Sequence, residues 1–181
     1  ATYKVGDVIP ISITFSEVVT VAGSPQLALE TGESDAVVNY TSGSGSTTLL
    51  FNYTVSSGQA SNDLDYAGTD ALSLNGGTIL DASGNASVLT LASPGATNSL
   101  GANKALIIDG IVPSVSSVAS STSNGIYKIG ETVAITVTFS EAVTVSGSPQ
   151  LTLETGSSDA VVNYTSGSGS GTLIFNYTII E

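Results

Sequence analysis

The side chains in this chain that could do chemistry are carboxylates. Fifteen Asp and Glu stand against three Lys, with no His and no Cys. Without imidazole or thiol, neither a Ser-His-Asp nor a Cys-His nucleophile can be assembled, and zinc sites built on His or Cys are out of reach. Paired carboxylates could still serve as acid and base. A sugar-cleaving pocket normally adds aromatic platforms, however, and the chain has no Trp. The expectation is a protein that is not an enzyme.

Calcium is the better use for these acids, because it takes about 6–8 oxygens from carboxylates, amides, backbone carbonyls and water. Asp63 and Asp65 stand two apart in NDLD, so an extended backbone would point both side chains to one side. Asp81 opens DASGN, where Gly84 permits a tight turn and Asn85 adds an amide oxygen. Asp109 lies in DGIVP, and Glu17 and Glu141 each follow a Phe-Ser pair. Calcium ligands are therefore expected at Glu17, Asp63, Asp65, Asp81, Asn85, Asp109 and Glu141, with Asp70 a weaker candidate. The same Asp and Asn residues have a second physical use, since their side chains close turns by mimicking the backbone.

The elements that must position these groups occur twice. Tyr3–Val55 (YKVGDVIPISITFSE…LLFNYTV) returns at Tyr127–Ile179 (YKIGETVAITVTFSE…LIFNYTI), an offset of 124 residues without insertion or deletion. A period of that length exceeds the roughly 20–50 residues of a solenoid unit and matches a whole domain. The counterparts of Asp63 and Asp65 in the second copy would fall beyond Glu181. The boundaries expected are 1–111 for a first repeat lacking its opening strand and 112–181 for the front part of a second. Either the chain is a window on a longer array, or it is a subunit whose incomplete units are completed by strands from neighbours.

Within each copy the pattern is that of strands. Ile9, Ile11, Ile13 and Phe15 alternate with Pro10, Ser12, Thr14 and Ser16, which puts one face in a core and one in water. Pro10 lacks a ladder donor and suggests a strand start or an edge. Glu17 continues the inward parity and is expected at the rim. Leu27 and Leu29, the Ala36–Thr41 segment, and Leu49, Phe51, Tyr53 and Val55 supply further strands, with SGSGS at 42–46 as a hairpin loop. Tyr3–Asp7 reads as a turn, Val88–Leu91 as strand-like, Ser93–Asn103 as a loop and Ser114–Ser121 as the first strand of the second copy. Short strands with turn signals every 8–12 residues or so indicate an antiparallel sandwich.

Charge and hydropathy narrow the partners. At net −12, with Lys4, Lys104 and Lys128 as the only basic side chains, counterion-release binding to nucleic acid is excluded and anionic lipid is disfavoured. No stretch of about 18 apolar residues is present, so no membrane insertion is expected. Lys4 and Lys104 read as ordinary lysines with buried stems rather than crosslinking ones.

The string YK-G-(D/E), an alternating strand ending in FSE, then SPQL-LETG, LD-SGN and IDGI-P resembles the bacterial immunoglobulin-like tandem repeats of very large surface adhesins, including calcium-dependent cell-surface proteins. The likeness covers essentially all of both copies and is most specific from FSE to LETG. It implies an all-β, immunoglobulin-like antiparallel β-sandwich repeated at 124 residues, export to the extracellular space or bacterial surface, and service as a calcium-stiffened stalk or spacer. Glu17, Asp63, Asp65, Asp81 and Asp109 would match the metal-binding acids of such stalks. The partners expected are neighbouring repeats of the same array. The alternative is a subunit of an extracellular fibre, self-associating by strand exchange between incomplete repeats. A carbohydrate-binding sandwich, with Tyr40, Tyr53 or Tyr66 on a shallow face, is a third possibility.

Overall fold

The computed structural model describes residues 1–180. The chain is almost all β, with 49% in strands and one short helix among the described residues, and its mainly antiparallel sheets lie in a sandwich-like arrangement. It divides into two units, Ala1–Val112 and the segment from Pro113 onward.

The first unit contains β1 (Thr2–Lys4), β2 (Val8–Ala22), β3 (Gln26–Leu29), β4 (Ala36–Ser42), β5 (Ser46–Thr54), β6 (Ala60–Ser61), β7 (Leu72–Ser73), β8 (Thr78–Leu80), α1 (Leu100–Asn103) and β9 (Ile107–Asp109). Its larger sheet has the order β7-β3-β4-β5-β2-β8, and a smaller one the order β1-β9-β6, with β1 parallel to β9. The period-two alternation explains the central pair. Ile9 faces Tyr53, Ile11 faces Phe51 and Ile13 faces Leu49 across β2 and β5. Of these only Ile13 is not fully buried. Each fully buried large apolar side chain contributes about 1.5–3 kcal/mol of transfer free energy, so one inward row fixes the register.

β2 is 15 residues long because it serves two neighbours. Residues 8–14 pair with β5, the register breaks between Thr14 and Val19, and Thr20–Ala22 pair with β8. β4 changes partner in the same way, Ala36–Asn39 on β3 and Tyr40–Ser42 on β5. Such breaks bend strands and turn the corners of a sandwich. The β4–β5 hairpin needs glycine at position 43: its φ is +112°, and a Cβ there would lie 2.1 Å from the Thr48 carbonyl oxygen.

Residues after β5 close the core. Leu64, Tyr66, Ala71, Leu72, Ile79 and Ile108 are buried against the inward row, with Leu89, Leu91, Leu100 and Leu106 packed behind them. Three local expectations are corrected. Tyr3 and Lys4 are strand rather than turn, held by Ile108 and Asp109 alongside them, while the expected turn is present at Val5–Gly6. Val88–Leu91 is irregular, tied through single bonds such as Leu91 N–H to the Thr69 carbonyl at 2.8 Å. The 93–103 loop ends in the helix α1.

The second unit contains β10 (Val115–Ser120), β11 (Thr132–Val143), β12 (Gln150–Leu153), β13 (Ala160–Ser166) and β14 (Ser170–Thr178), in the order β10-β11-β14-β13-β12. Ile135 faces Phe175 and Val137 faces Leu173, the register of β2 and β5. Side-chain details recur as well. Gln26 and Gln150 donate to Asn39 and Asn163 at 2.9 Å, and the Tyr40–Phe51 and Tyr164–Phe175 ring centroids are each 6.2 Å apart, edge to face. The inner face is not closed in the same way. Val137, Val162, Leu173 and Phe175 are buried, while Ile135, Leu151, Leu153 and Tyr177 remain partly exposed.

Candidate functional site

The acids of the first unit are placed by loops, and the loops are in turn held by the acids. Asp65 follows the buried Leu64 and is itself 9% exposed. Its Oδ1 accepts the N–H of Tyr66 at 2.9 Å and of Leu100 at 3.2 Å, and its Oδ2 accepts the N–H of Gly95 at 2.9 Å. Burial opposes the ionised form, but the bonds from Gly95, Ser99, Tyr66 and Gly101 outweigh it and hold the pKa below the usual carboxylate range. Ser99, fully buried, caps α1 by accepting from Ala102 N–H at 3.2 Å and also takes the Gly95 N–H at 3.1 Å. Asp65 and Ser99 together therefore fix the 93–103 loop.

Asp63 is exposed, and its carboxylate approaches the same place. A Cβ at Gly101 would lie 3.0 Å from Asp65 Oδ2 and 3.5 Å from Asp63 Oδ2, so the two carboxylates converge on that glycine. Asp81 and Asn85 form a closed turn of their own. Asp81 accepts from Ser83 N–H at 2.8 Å, Asn85 N–H at 2.7 Å and the Asn85 side-chain amide at 2.7 Å. Those bonds, the Asn85 side chain first, lower its pKa. This is the turn-closing use of Asp and Asn.

The other acids stand apart. Asp109 ends β9, with Lys4 and Ala60 as its register partners, and is exposed. Glu17 is exposed at the register break of β2, which interrupts the inward parity expected of it, and it lines an open groove of about 580 Å³ shared with Asp81 and Asn85. Glu141 belongs to the second unit. Its Oε1 is buried without a hydrogen-bond partner among the described residues. No group of three or more acidic side chains is placed to hold one metal ion among the described residues.

Both shifted carboxylates move down, because the groups that donate to them favour the ionised form. Of the tyrosines considered for a shallow binding face, Tyr40 is half-buried and lines an open groove together with Tyr53. Tyr53 and Tyr66 are 2% and 7% exposed, with hydroxyls donating to Gln59 Oε1 at 2.9 Å and the Ala92 carbonyl at 2.7 Å. Burial raises the pKa of both, with the Asp65 charge adding to Tyr66. Ser99, Gly95 and Gly101 were not legible as partners of Asp65, because about 30 residues or more of chain separate them from it and only the fold joins them. Comparison with family models, with curated proteins and with solved structures found no match for this chain.

Proposed function

We propose that this chain is a structural spacer: immunoglobulin-like repeats of an exported bacterial surface protein, which hold a functional tip away from the cell. The supporting observation is the recurrence of one hairpin module, with the same register, the same glycine turn and the same Gln–Asn and Tyr–Phe contacts, in both units. A module laid down twice in one chain carries load or sets distance by number, and its work is done by burial rather than by a reactive group. Calcium belongs to this proposal as a brace. Asp63 is the freest candidate ligand, because Asp65 and Asp81 already spend acceptor capacity on N–H donors. Tandem copies of the 124-residue unit test the proposal by small-angle scattering. The maximum dimension should rise by a constant increment per added unit, and a dimension that levels off as units collapse on one another would contradict it.

A further inference from the structure

β4 exchanges one neighbour for the other at Tyr40, and the change opens a groove between β4 and β5. The groove has a volume of about 730 Å³, and Val37, Asn39, Asn52, Thr54 and Gln59 are among its walls. Asp35 is the only charged side chain that lines it. We propose that this groove is a binding site for a neutral oligosaccharide, held through peptide and amide groups rather than ionic ones. The inference stands apart from the spacer reading, and neither needs the other.

Strand geometry places the backbone groups on both walls. Tyr40 N–H donates to the Pro25 carbonyl at 2.7 Å, so Tyr40 and, by alternation, Val38 turn their peptide groups toward β3. Val37 and Asn39 therefore turn theirs toward the groove. On β5, Val55 faces the other neighbour: its N–H donates to the Asp7 carbonyl at 3.0 Å and its carbonyl accepts Gly6 N–H at 2.9 Å. The same alternation points Asn52 and Thr54 at β4. Past the Tyr40–Phe51 pair no residues of β4 and β5 are paired in this direction among the described residues. One side chain closes the narrow end, where Thr41 Oγ1 takes the Asn52 N–H at 3.2 Å in place of a ladder carbonyl. The peptide groups of Val37, Asn39 and Thr54 are left to water or to a ligand.

The side chains at the groove are fixed, and they leave donors available. Gln59 Oε1 accepts the Tyr53 hydroxyl at 2.9 Å and the Ser56 N–H at 2.8 Å. That orients the amide and leaves Gln59 Nε2 without a partner among the described residues. Asn39 Oδ1 accepts Gln26 Nε2 at 2.9 Å, which leaves Asn39 Nδ2 in the same position. Tyr40 adds a rigid apolar surface. Its ring lies 6.2 Å from that of Phe51, edge to face, and its hydroxyl oxygen accepts the Ser44 N–H at 2.7 Å. Neutral amides, hydroxyls and peptide groups beside a fixed ring match a sugar, whose hydroxyls both donate and accept and whose C–H face is apolar.

Charge and length oppose other occupants. With no cation on its walls, Asp35 beside it and a net charge of −12 on the chain, the groove repels phosphates, nucleotides and acidic glycans. A peptide added as a strand pairs along an edge of about five or six residues. Here only Val37 and Asn39 of β4 face the groove, and the Thr41 bridge blocks its narrow end. The volume lies within the roughly 300–1,000 Å³ of small-molecule sites. The wedge is also a property of the hairpin itself. Asn176 N–H donates to Thr165 Oγ1 at 3.2 Å and Gln150 Nε2 to Asn163 Oδ1 at 2.9 Å, the bonds of Asn52, Thr41, Gln26 and Asn39 over again.

The test is a titration of the isotope-labelled full chain with maltohexaose, cellohexaose, laminarihexaose and mannohexaose, followed by amide chemical shifts. At least one sugar should give saturable shifts at Val37, Asn39 and Thr54 and at the Gln59 side-chain amide, while Thr14 and Ser16 stay unmoved. Asn52→Ala alters an exposed side chain and keeps the backbone N–H that Thr41 receives, so the hairpin is preserved. It should weaken binding about fivefold or more. No saturable shift with any of these sugars overturns the proposal. Binding that Asn52→Ala leaves at full strength, or shifts centred on Thr14 and Ser16, also overturn it. A short uncharged peptide of alternating valine and threonine is the competing probe. If it shifts Val37, Asn39 and Thr54 more strongly than every sugar, the groove takes a strand rather than a glycan, and the proposal is overturned.

Discussion

Leu27 and Leu151 occupy the same place in two hairpin modules that match in register, yet Leu27 is fully buried and Leu151 is partly exposed. Leu29 and Leu153, Ile9 and Val133, and Tyr53 and Tyr177 differ in the same direction. The strands, turns and pair geometry are alike, so these properties are set locally. Burial is not. In the first unit it comes from Leu64, Tyr66, Leu72, Ile79 and Ile108, which reach the inward row from after β5. The hairpin module thus sets its own strand pairing, while the cover over its inner face comes from residues outside it.

The comparison is tested first by truncating the matched leucines. Leu27→Ala should cost about 2–5 kcal/mol in the first unit, as a fully buried leucine does when a cavity is left behind. Leu151→Ala should cost about 1 kcal/mol, because its site already meets solvent and can collapse. Denaturant unfolding, followed by unit-specific amide signals, separates the two. Equal losses would mean that the second unit is covered in solution.

The turn glycines should behave in the opposite way. Gly43 and Gly167 have φ of +112° and +111°, and a Cβ at either would lie 2.1 Å from a carbonyl oxygen. Gly43→Ala and Gly167→Ala should therefore each cost about 1–3 kcal/mol, and by the same amount, since the strain is local. A large inequality would show that even the hairpin is shaped by its surroundings.

Acid should act more on the first unit through Asp65. Its folded pKa is lowered, so its contribution is full above the unfolded carboxylate pKa of about 4 and is lost as pH falls through the folded value. Melting across the acid range should show stability falling with pH, and Asp65→Asn should flatten that limb while costing about 1–3 kcal/mol at neutral pH. An unchanged acid limb would remove Asp65 as the clamp of the 93–103 loop. Calcium should have the smallest effect. In the presence of calcium the first unit should melt a few degrees higher than in chelator, and Asp63→Asn should abolish the shift. No shift in the unaltered chain would remove the brace from the proposed function.

The sequence was most legible where the physics is local. The alternation from Ile9 to Phe15 and from Leu49 to Val55 marks the central strands directly, and a buried face tolerates no slip of register. Pro10 suggested an edge or a strand start, and it stands as the third residue of β2, opposite Asn52 of β5. Legibility failed where distant segments decide. The irregular course of Val88–Leu91 depends on bonds to Thr69 and on the groove beside β2. α1 is only four residues long and stands on a serine cap and the Asp65 carboxylate rather than on helical periodicity. Among the candidate acids, the spacing of Asp63 and Asp65 was readable. That Asp65 would turn its oxygens toward Gly95 and Leu100 was not, because those N–H groups arrive only with the fold.

Hydrogen exchange on β5 and β14 tests the central contrast most directly. Their sequences, STTLLFNYT and SGTLIFNYT, are close enough that intrinsic exchange rates nearly cancel. Each pairs with two neighbours in the same order, so any difference in protection reports the opening free energy of its unit. The β5 amides should exchange at least about tenfold more slowly than those of β14 in dilute solution, where association cannot contribute. Equal protection would contradict the account, because it would mean that the cover over the first unit adds nothing to the stability of the hairpin beneath it.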